Sequence, residues 1–226
     1  MKDNKFPKTL SRENIFPTPI WVVDEPSHVN KFNKATDIFI KKAKRRDKNQ
    51  IHNKRNKALK IKGDIGSVYL SESLINVKDF KPLQDYVLAT SHNLLEEMGF
   101  SLKDFKLFMT EMWVQEFAKD GGGHHSLHTH WNGHISAFYF LKGSEKTSRP
   151  IFEDPRPGNL MNLLPLKDEQ NVVYGTHQIN YVPKPGRFIF FPSYLPHLYT
   201  VDLGVEPFRF IHFNCQAIPK GVLNVV

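Results

Sequence analysis

His124–Leu141, HHSLHTHWNGHISAFYFL, is the stretch on which the reading of the chain turns. Five of the eleven histidines fall between His124 and His134, and two of them, His128 and His130, are spaced H-x-H. Directly after them ISAFYFL is dense in aromatic and β-branched residues, the composition of a strand. Residues two apart on an extended chain point to the same side. If 128–130 is extended, both imidazoles leave one face, which suits two ligands of one metal ion. The rest of the chain is then searched for a third ligand and for a substrate.

Outward from this stretch, strands are expected at 106–118, 134–141, 149–153, 178–183, 187–192, 198–202 and 208–217. They are short, aromatic-rich and separated by Pro/Gly turns, the pattern of a sandwich or barrel. Residues 155–177 lack clear periodicity and are read as a long inserted loop. Before Gly99 the pattern differs. Phe32, Ala35, Phe39, Ile40 and Ala43 make a helical stripe within 28–46. A second helix is expected at about 80–98, capped by Asp79, with Pro82 in its first turn and Gly99 closing it. A first strand is expected within 14–23, and a short one within 63–70. Helices first and strands after predict a mainly β, α+β chain with helices packed outside a β core.

The bulk numbers set limits. A chain of 226 residues, 40% hydrophobic and with 18 Phe, suffices for one large domain. The expected organisation is a single unit over 1–226, with a helical elaboration at 24–100 and the β core at 101–218. No apolar run approaches the roughly 20 residues of a membrane span, and the first residues lack a secretory apolar stretch. One cysteine, Cys215, excludes an intrachain disulfide and fits a reducing cytoplasm. The net charge of +8 is local: residues 41–62 hold 11 Lys/Arg against one Asp, which leaves the remainder near −2. That segment is read as a helix face or an insertion with a loop at its middle, where Asn49, Asn53 and Asn56 weaken helix propensity. Contact with nucleic acid is the alternative, although no aromatics interleave the cations to stack on bases.

Two later residues complete a constellation. PGRFIFFPSYLPH, 185–197, is a Pro-Gly turn, an apolar strand and a proline-bracketed His197. Twelve residues on, Arg209 stands among Phe208, Phe210, Ile211 and Phe213. A cation in so apolar a strand needs an anionic partner. That partner is either a bound carboxylate, which a guanidinium meets bidentately, or an internal ion pair. His124 and His125 follow three glycines and read as a loop. His134 reads as a hydrogen-bonding residue near the site, and His177 and His212 read as structural. His212 faces away from its neighbours Ile211 and Phe213.

Taken together, FPTPIW (16–21), TEMWVQEF (110–117), LHTHWNGHISAFYFL, FEDPRP (152–157) and PGRFIFFPSYLPH…FRFIHFN resemble the 2-oxoglutarate/Fe(II)-dependent oxygenase family of bacteria and phages, of the H-x-H…H…R type. The resemblance covers the first strand and nearly all of 110–216, and leaves 24–100 uncovered. It implies a double-stranded β-helix (jelly-roll, cupin-like) core. It also implies an oxidoreductase, a dioxygenase that uses Fe(II), 2-oxoglutarate and O₂ and hydroxylates an unidentified substrate while 2-oxoglutarate becomes succinate. By that resemblance His128, His130 and His197 are the metal ligands and Arg209 holds the far carboxylate of 2-oxoglutarate. A cytoplasmic location follows, in the host cell if the chain is phage-encoded; oligomeric state is not readable. Most of the wider superfamily has a carboxylate where His130 stands, so Asp154 or Glu153 is the alternative third ligand. The family's Pro and Ser after H-x-H are Trp131 and Gly133 here, and its Ser two residues beyond the arginine is Ile211. Two other functions remain open: a non-redox cupin-like binder of a metal or small molecule, and a nucleic-acid-associated protein using 41–62.

Overall fold

The computed structural model describes residues 11, 13–46, 51–160 and 164–224. Its strands are β1 (Trp21–Asp24), β2 (Val68–Leu70), β3 (Phe105–Phe117), β4 (His125–His128), β5 (Ile135–Lys142), β6 (Pro150–Glu153), β7 (Gln178–Asn180), β8 (Arg187–Pro192), β9 (His197–Tyr199) and β10 (Arg209–Pro219). They form a six-stranded sheet ordered β1-β8-β5-β10-β3-β2 and a four-stranded sheet ordered β4-β9-β6-β7. Every pairing is antiparallel. From β3 onward, successive strands alternate between the two sheets except at β6 and β7, which pair with each other in the small sheet, as in a double-stranded β-helix.

Strand alternation sorts the large sheet into two faces. On β10, Ile211, Phe213 and Cys215 join the core beneath the helices, while Phe208 and Phe210 join a second core between the sheets. The register carries the sorting across the sheet. Phe210 pairs with Gln115 and Phe140, His212 with Trp113 and Phe138, and Asn214 with Glu111 and Ser136. The inner core is aromatic: Phe117, Phe138, Phe140, Phe152, Phe191, Tyr199, Phe208 and Phe210 are all buried in it. Each such side chain contributes roughly 1.5–3 kcal/mol by leaving water.

The outer face is covered by α1 (Val29–Arg46) and α3 (Lys81–Glu97). In α1 the buried residues are Phe32, Thr36, Ile40 and Ala43, so the expected apolar stripe contains one hydroxyl, which returns its hydrogen bond to Phe32 O. Helix α3 follows a 3-10 turn, Lys78–Phe80. Its N-cap is Phe80 without a side-chain bond, not the expected Asp79. Gly99 does end it, at φ +91°, with its N–H on Glu96 O and the Phe100 N–H on Leu95 O.

Several expected boundaries move. The first strand shrinks from 14–23 to β1, because only Trp21–Asp24 finds a partner, in β8. Strands at 178–183 and 198–202 contract to β7 and β9. Strand β4 replaces the expected loop at His125. The basic segment 41–62 holds a second helix, α2 (Ile51–Ala58), where a loop was expected; its residues 47–50, Asn49 among them, lie outside the described part. Asn56 is buried and donates to Ile65 O, so tertiary contact overrides its weak propensity. Among the described residues no helix is long and apolar enough to cross a membrane.

Candidate metal centre

The small sheet brings three histidines together. His128 ends β4 and pairs in register with His197, which opens β9. His130 lies just past β4, its backbone N–H bonded to Ser193 O at 2.9 Å. Ring centroids are 4.3 Å apart for His128–His197 and 5.1 Å for both His128–His130 and His130–His197. One nitrogen from each falls within 4.8 Å of the others, close enough to share one ion.

The tautomers favour ligation. His128 Nδ1 donates to Ser126 O at 2.7 Å and His197 Nδ1 to Leu195 O at 3.0 Å. Each ring therefore carries its proton on Nδ1 and leaves the Nε2 lone pair free, as orienting carbonyls do around bound metals. His197 Nε2 and His130 Nε2 are buried without a protein partner. Burial pushes the His197 pKa down to about 2 and the His130 pKa to about 3, so both are neutral at pH 7. His197, buried, neutral and oriented by a backbone carbonyl, and His128, oriented in the same way, present Nε2 lone pairs that fit a divalent transition metal, while His130 Nδ1 faces the Asn214 amide donor at 3.1 Å.

Arg209 is not part of this group. It sits on the outer face of β10, 4% exposed, and is fully engaged there. Its Nε and Nη2 meet Glu116 Oε2 at 2.8 and 2.6 Å. Its Nη1 meets Asp37 Oδ1 at 2.7 Å, Thr36 Oγ1 at 3.1 Å and Asn33 O at 3.2 Å. The reading of Arg209 as the 2-oxoglutarate anchor is therefore corrected. Alternation turns it toward α1, and the internal ion pair is the partner its burial required. The inward residues at this end of β10 are Phe208 and Phe210. Asp154 and Glu153 also leave the ligand set. Asp154 is held by Arg156 in a two-bond pair at 2.9 and 2.6 Å, and Glu153 accepts from Gln178 at 2.6 Å.

Other histidines divide differently from expectation. His125 belongs to β4, not a loop, and its Nε2 contacts the Gln115 amide at 2.6–2.9 Å. Its ring is 5.8 Å from that of His128. Burial lowers its pKa to about 4. His124 is exposed and donates to Gly122 O. His134 accepts from the Ala217 N–H at 3.1 Å, beyond the triad. His212 lies inside, 1% exposed, its ring 4.6 Å from that of His130. Nearby, Asn214 Nδ2 donates to Glu111 Oε2 at 2.7 Å and contacts His130 Nδ1 at 3.1 Å. Glu111, His125, Gln115, Tyr199 and Asn214 were not singled out as site residues from the sequence. The period-2 alternation through His212 and Asn214 was the available signal, because it places both opposite Ile211 and Phe213. Beside the centre a cleft of about 620 Å³ runs between residues 13–20 and 172–179, with Phe152 and Leu195 on its wall.

Residues 111–209 match the model of a family described as "Putative 2OG-Fe(II) oxygenase". Solved structures share the fold at low identity. A prolyl-4-hydroxylase from Pseudomonas putida aligns at TM-score 0.50 with 10% identity, over 88% of this chain and 93% of its own. The viral collagen prolyl hydroxylase of Paramecium Bursaria Chlorella virus-1, in a 2-oxoglutarate complex, gives 0.51 and 11%, over 88% and 96%. The epimerase SnoN from nogalamycin biosynthesis, with Fe³⁺, α-ketoglutarate and nogalamycin RO, gives 0.56 and 11%, over 90% and 82%. No curated protein matches the chain.

Proposed function

We propose that this chain, whose residues 111–209 belong to the 2OG-Fe(II) oxygenase family, binds iron through His128, His130 and His197. The family's enzymes are oxidoreductases that use Fe(II), 2-oxoglutarate and O₂. The observation that carries the ligand set is the convergence of three imidazoles, one nitrogen of each lying within 4.8 Å of the others. Bound there, iron would supply oxidative chemistry with 2-oxoglutarate as co-substrate.

The chain's own residues then have defined tasks. The Ser126 and Leu195 carbonyls fix the tautomers of His128 and His197. The aromatic inner core excludes water from the buried side of the centre. With Arg209 turned outward, the far carboxylate of 2-oxoglutarate falls to neutral groups on the inner walls. The Tyr199 hydroxyl, buried without a protein partner, and the Gln115–His125 pair are the hydrogen-bonding groups available there. Neutral anchors hold a carboxylate more weakly than a guanidinium does, so a high co-substrate requirement is expected. The primary substrate approaches along the cleft beside Phe152, which draws on the long loop after residue 155.

The test is anaerobic addition of Fe(II) and 2-oxoglutarate, read by the weak visible charge-transfer band of the chelate and by succinate release on admitting air. His197→Ala abolishes both. Tyr199→Phe raises the 2-oxoglutarate concentration for half-saturation several-fold and leaves iron content unchanged. Iron bound equally well by the His197→Ala variant would falsify the ligand assignment.

A further inference from the structure

We infer that the centre has a second metal site, built from Glu111, His212 and the far edge of His130. One ligand atom from each of these residues falls within 4.8 Å of the others, as in the first group. His130 is common to both. Its Nε2 is free of protein partners, while its Nδ1 lies on the Glu111 side, bridged to that carboxylate by the Asn214 amide nitrogen.

His212 is the observation that points to a ligand. It is 1% exposed, and neither ring nitrogen lies within hydrogen-bond range of a partner. Its Nε2 is 3.6 Å from Glu111 Oε2, too long for a hydrogen bond and suited to two ligands of one ion. Burying a polar ring unsatisfied destabilises a fold. The packing around it asks only for a flat aromatic: His212 stacks on Trp113 at 4.4 Å and leans on Phe138 at 5.7 Å. A phenylalanine would satisfy those contacts without the cost, so the nitrogens themselves are the feature needing an account.

The opposite partner is prepared for a cation. Glu111 accepts from Asn132 Nδ2 at 2.9 Å and from Asn214 Nδ2 at 2.7 Å, which fixes the carboxylate beside two imidazoles. Two histidines and one carboxylate are a donor set for a divalent transition ion such as Fe(II), Co(II) or Zn(II). The set also brings to the centre the negative charge that the three imidazoles of the first group lack. With an ion in each group, His130 would serve both.

The experiment counts metal. The full chain, stripped by chelator, is titrated anaerobically with Co(II) and bound cobalt is measured after dialysis, with melting temperature as a parallel readout. Two equivalents are expected in the unaltered chain. One is expected in His212→Phe, one in Glu111→Gln, and one in His197→Ala. His212→Phe keeps the stack on Trp113, so its metal-free form melts no lower than the unaltered chain. Glu111→Gln keeps an acceptor for Asn132 and provides a second, milder variant. A single equivalent that survives both His212→Phe and Glu111→Gln overturns the second site and leaves the triad standing. A single equivalent lost in His212→Phe but kept in His197→Ala supports the Glu111–His212 site and overturns the triad instead.

Discussion

Arg209 shows how one residue's direction settles its role. Its guanidinium lies between Glu116 and Asp37 on the outer face, with Lys44 on the same Glu116 carboxylate at 2.6 Å. Removing the cation leaves Glu116, 8% exposed, with only Lys44 at 2.6 Å and Lys142 at 3.7 Å as its cations. Breaking a buried pair from one side costs about 3–5 kcal/mol. Because Glu116 keeps two other cations, Arg209→Leu should lower the unfolding free energy by less than that, about 2–3 kcal/mol, in urea titration. In the folded fraction, 2-oxoglutarate half-saturation should stay within about twofold. A selective loss of co-substrate affinity at unchanged stability would return Arg209 to the site. Glu116→Gln removes the charge from the other side and should be the milder of the two changes.

At the scale of elements, one tight junction lies where β8 begins. Gly186 has φ +91°, and a Cβ there would lie 2.5 Å from Pro26 Cα. The Glu25 N–H bonds Gly186 O at 2.7 Å, so β1 and β8 are joined at this turn. Gly186→Ala should cost about 1–3 kcal/mol through backbone strain and forced displacement of Pro26, read as a lowered urea midpoint. The basic segment also acts at this scale. Lys42 pairs with Glu72, Lys44 with Glu116, and Arg46 bonds Leu70 O, so α1 uses several of its cations to dock on the sheet edge. Part of the charge that the sequence isolates in 41–62 is therefore engaged in holding the fold together.

For the whole molecule, acid acts through the same network. Burial raises the Glu116 pKa, but Arg209 and Lys44 outweigh it and hold the carboxyl below its usual value. The Arg209 hydrogen bond likewise lowers Asp37. Groups depressed on folding contribute stability that is full above their unfolded pKa, about 4. That stability is lost as pH falls through the folded values. The buried imidazoles of His125, His130 and His197 act from higher pH, because below about 6.5 the unfolded chain takes up protons that the folded one refuses. Urea midpoints should therefore decline from about pH 6.5 and fall further below about 4, and Arg209→Leu should flatten only the lower part. Metal acts oppositely: an ion at a hundred times its Kd stabilises by about 2.7 kcal/mol per site. The melting temperature should rise on adding Co(II) and fall back with chelator.

How much of this was legible in the chain follows from the range of each interaction. Alternation and turn chemistry are local, so β3, β5, β8 and β10 were readable within a residue or two, as were α1 and α3. Pairing partners are not local. The residues expected to form a strand before Trp21 and those of β4 therefore depended on whether β8 and β9 lay beside them. Spacing paired His128 with His130, and it was the family resemblance that added His197, from a strand end in another part of the chain. The face of Arg209 could not be read in the same way. A strand's alternation fixes which residues share a side, but only the docked α1 decides which side is the outside. Once Ile211 and Phe213 turn toward the helices, Arg209 goes with them, and His212 and Asn214 are carried inward beside Glu111. The sequence alone determined the strands and the three-histidine spacing. Only the packing of helix against sheet decided that the inner wall offers imidazole and carboxylate where a guanidinium was expected, because that choice rests on contacts more than 170 residues apart.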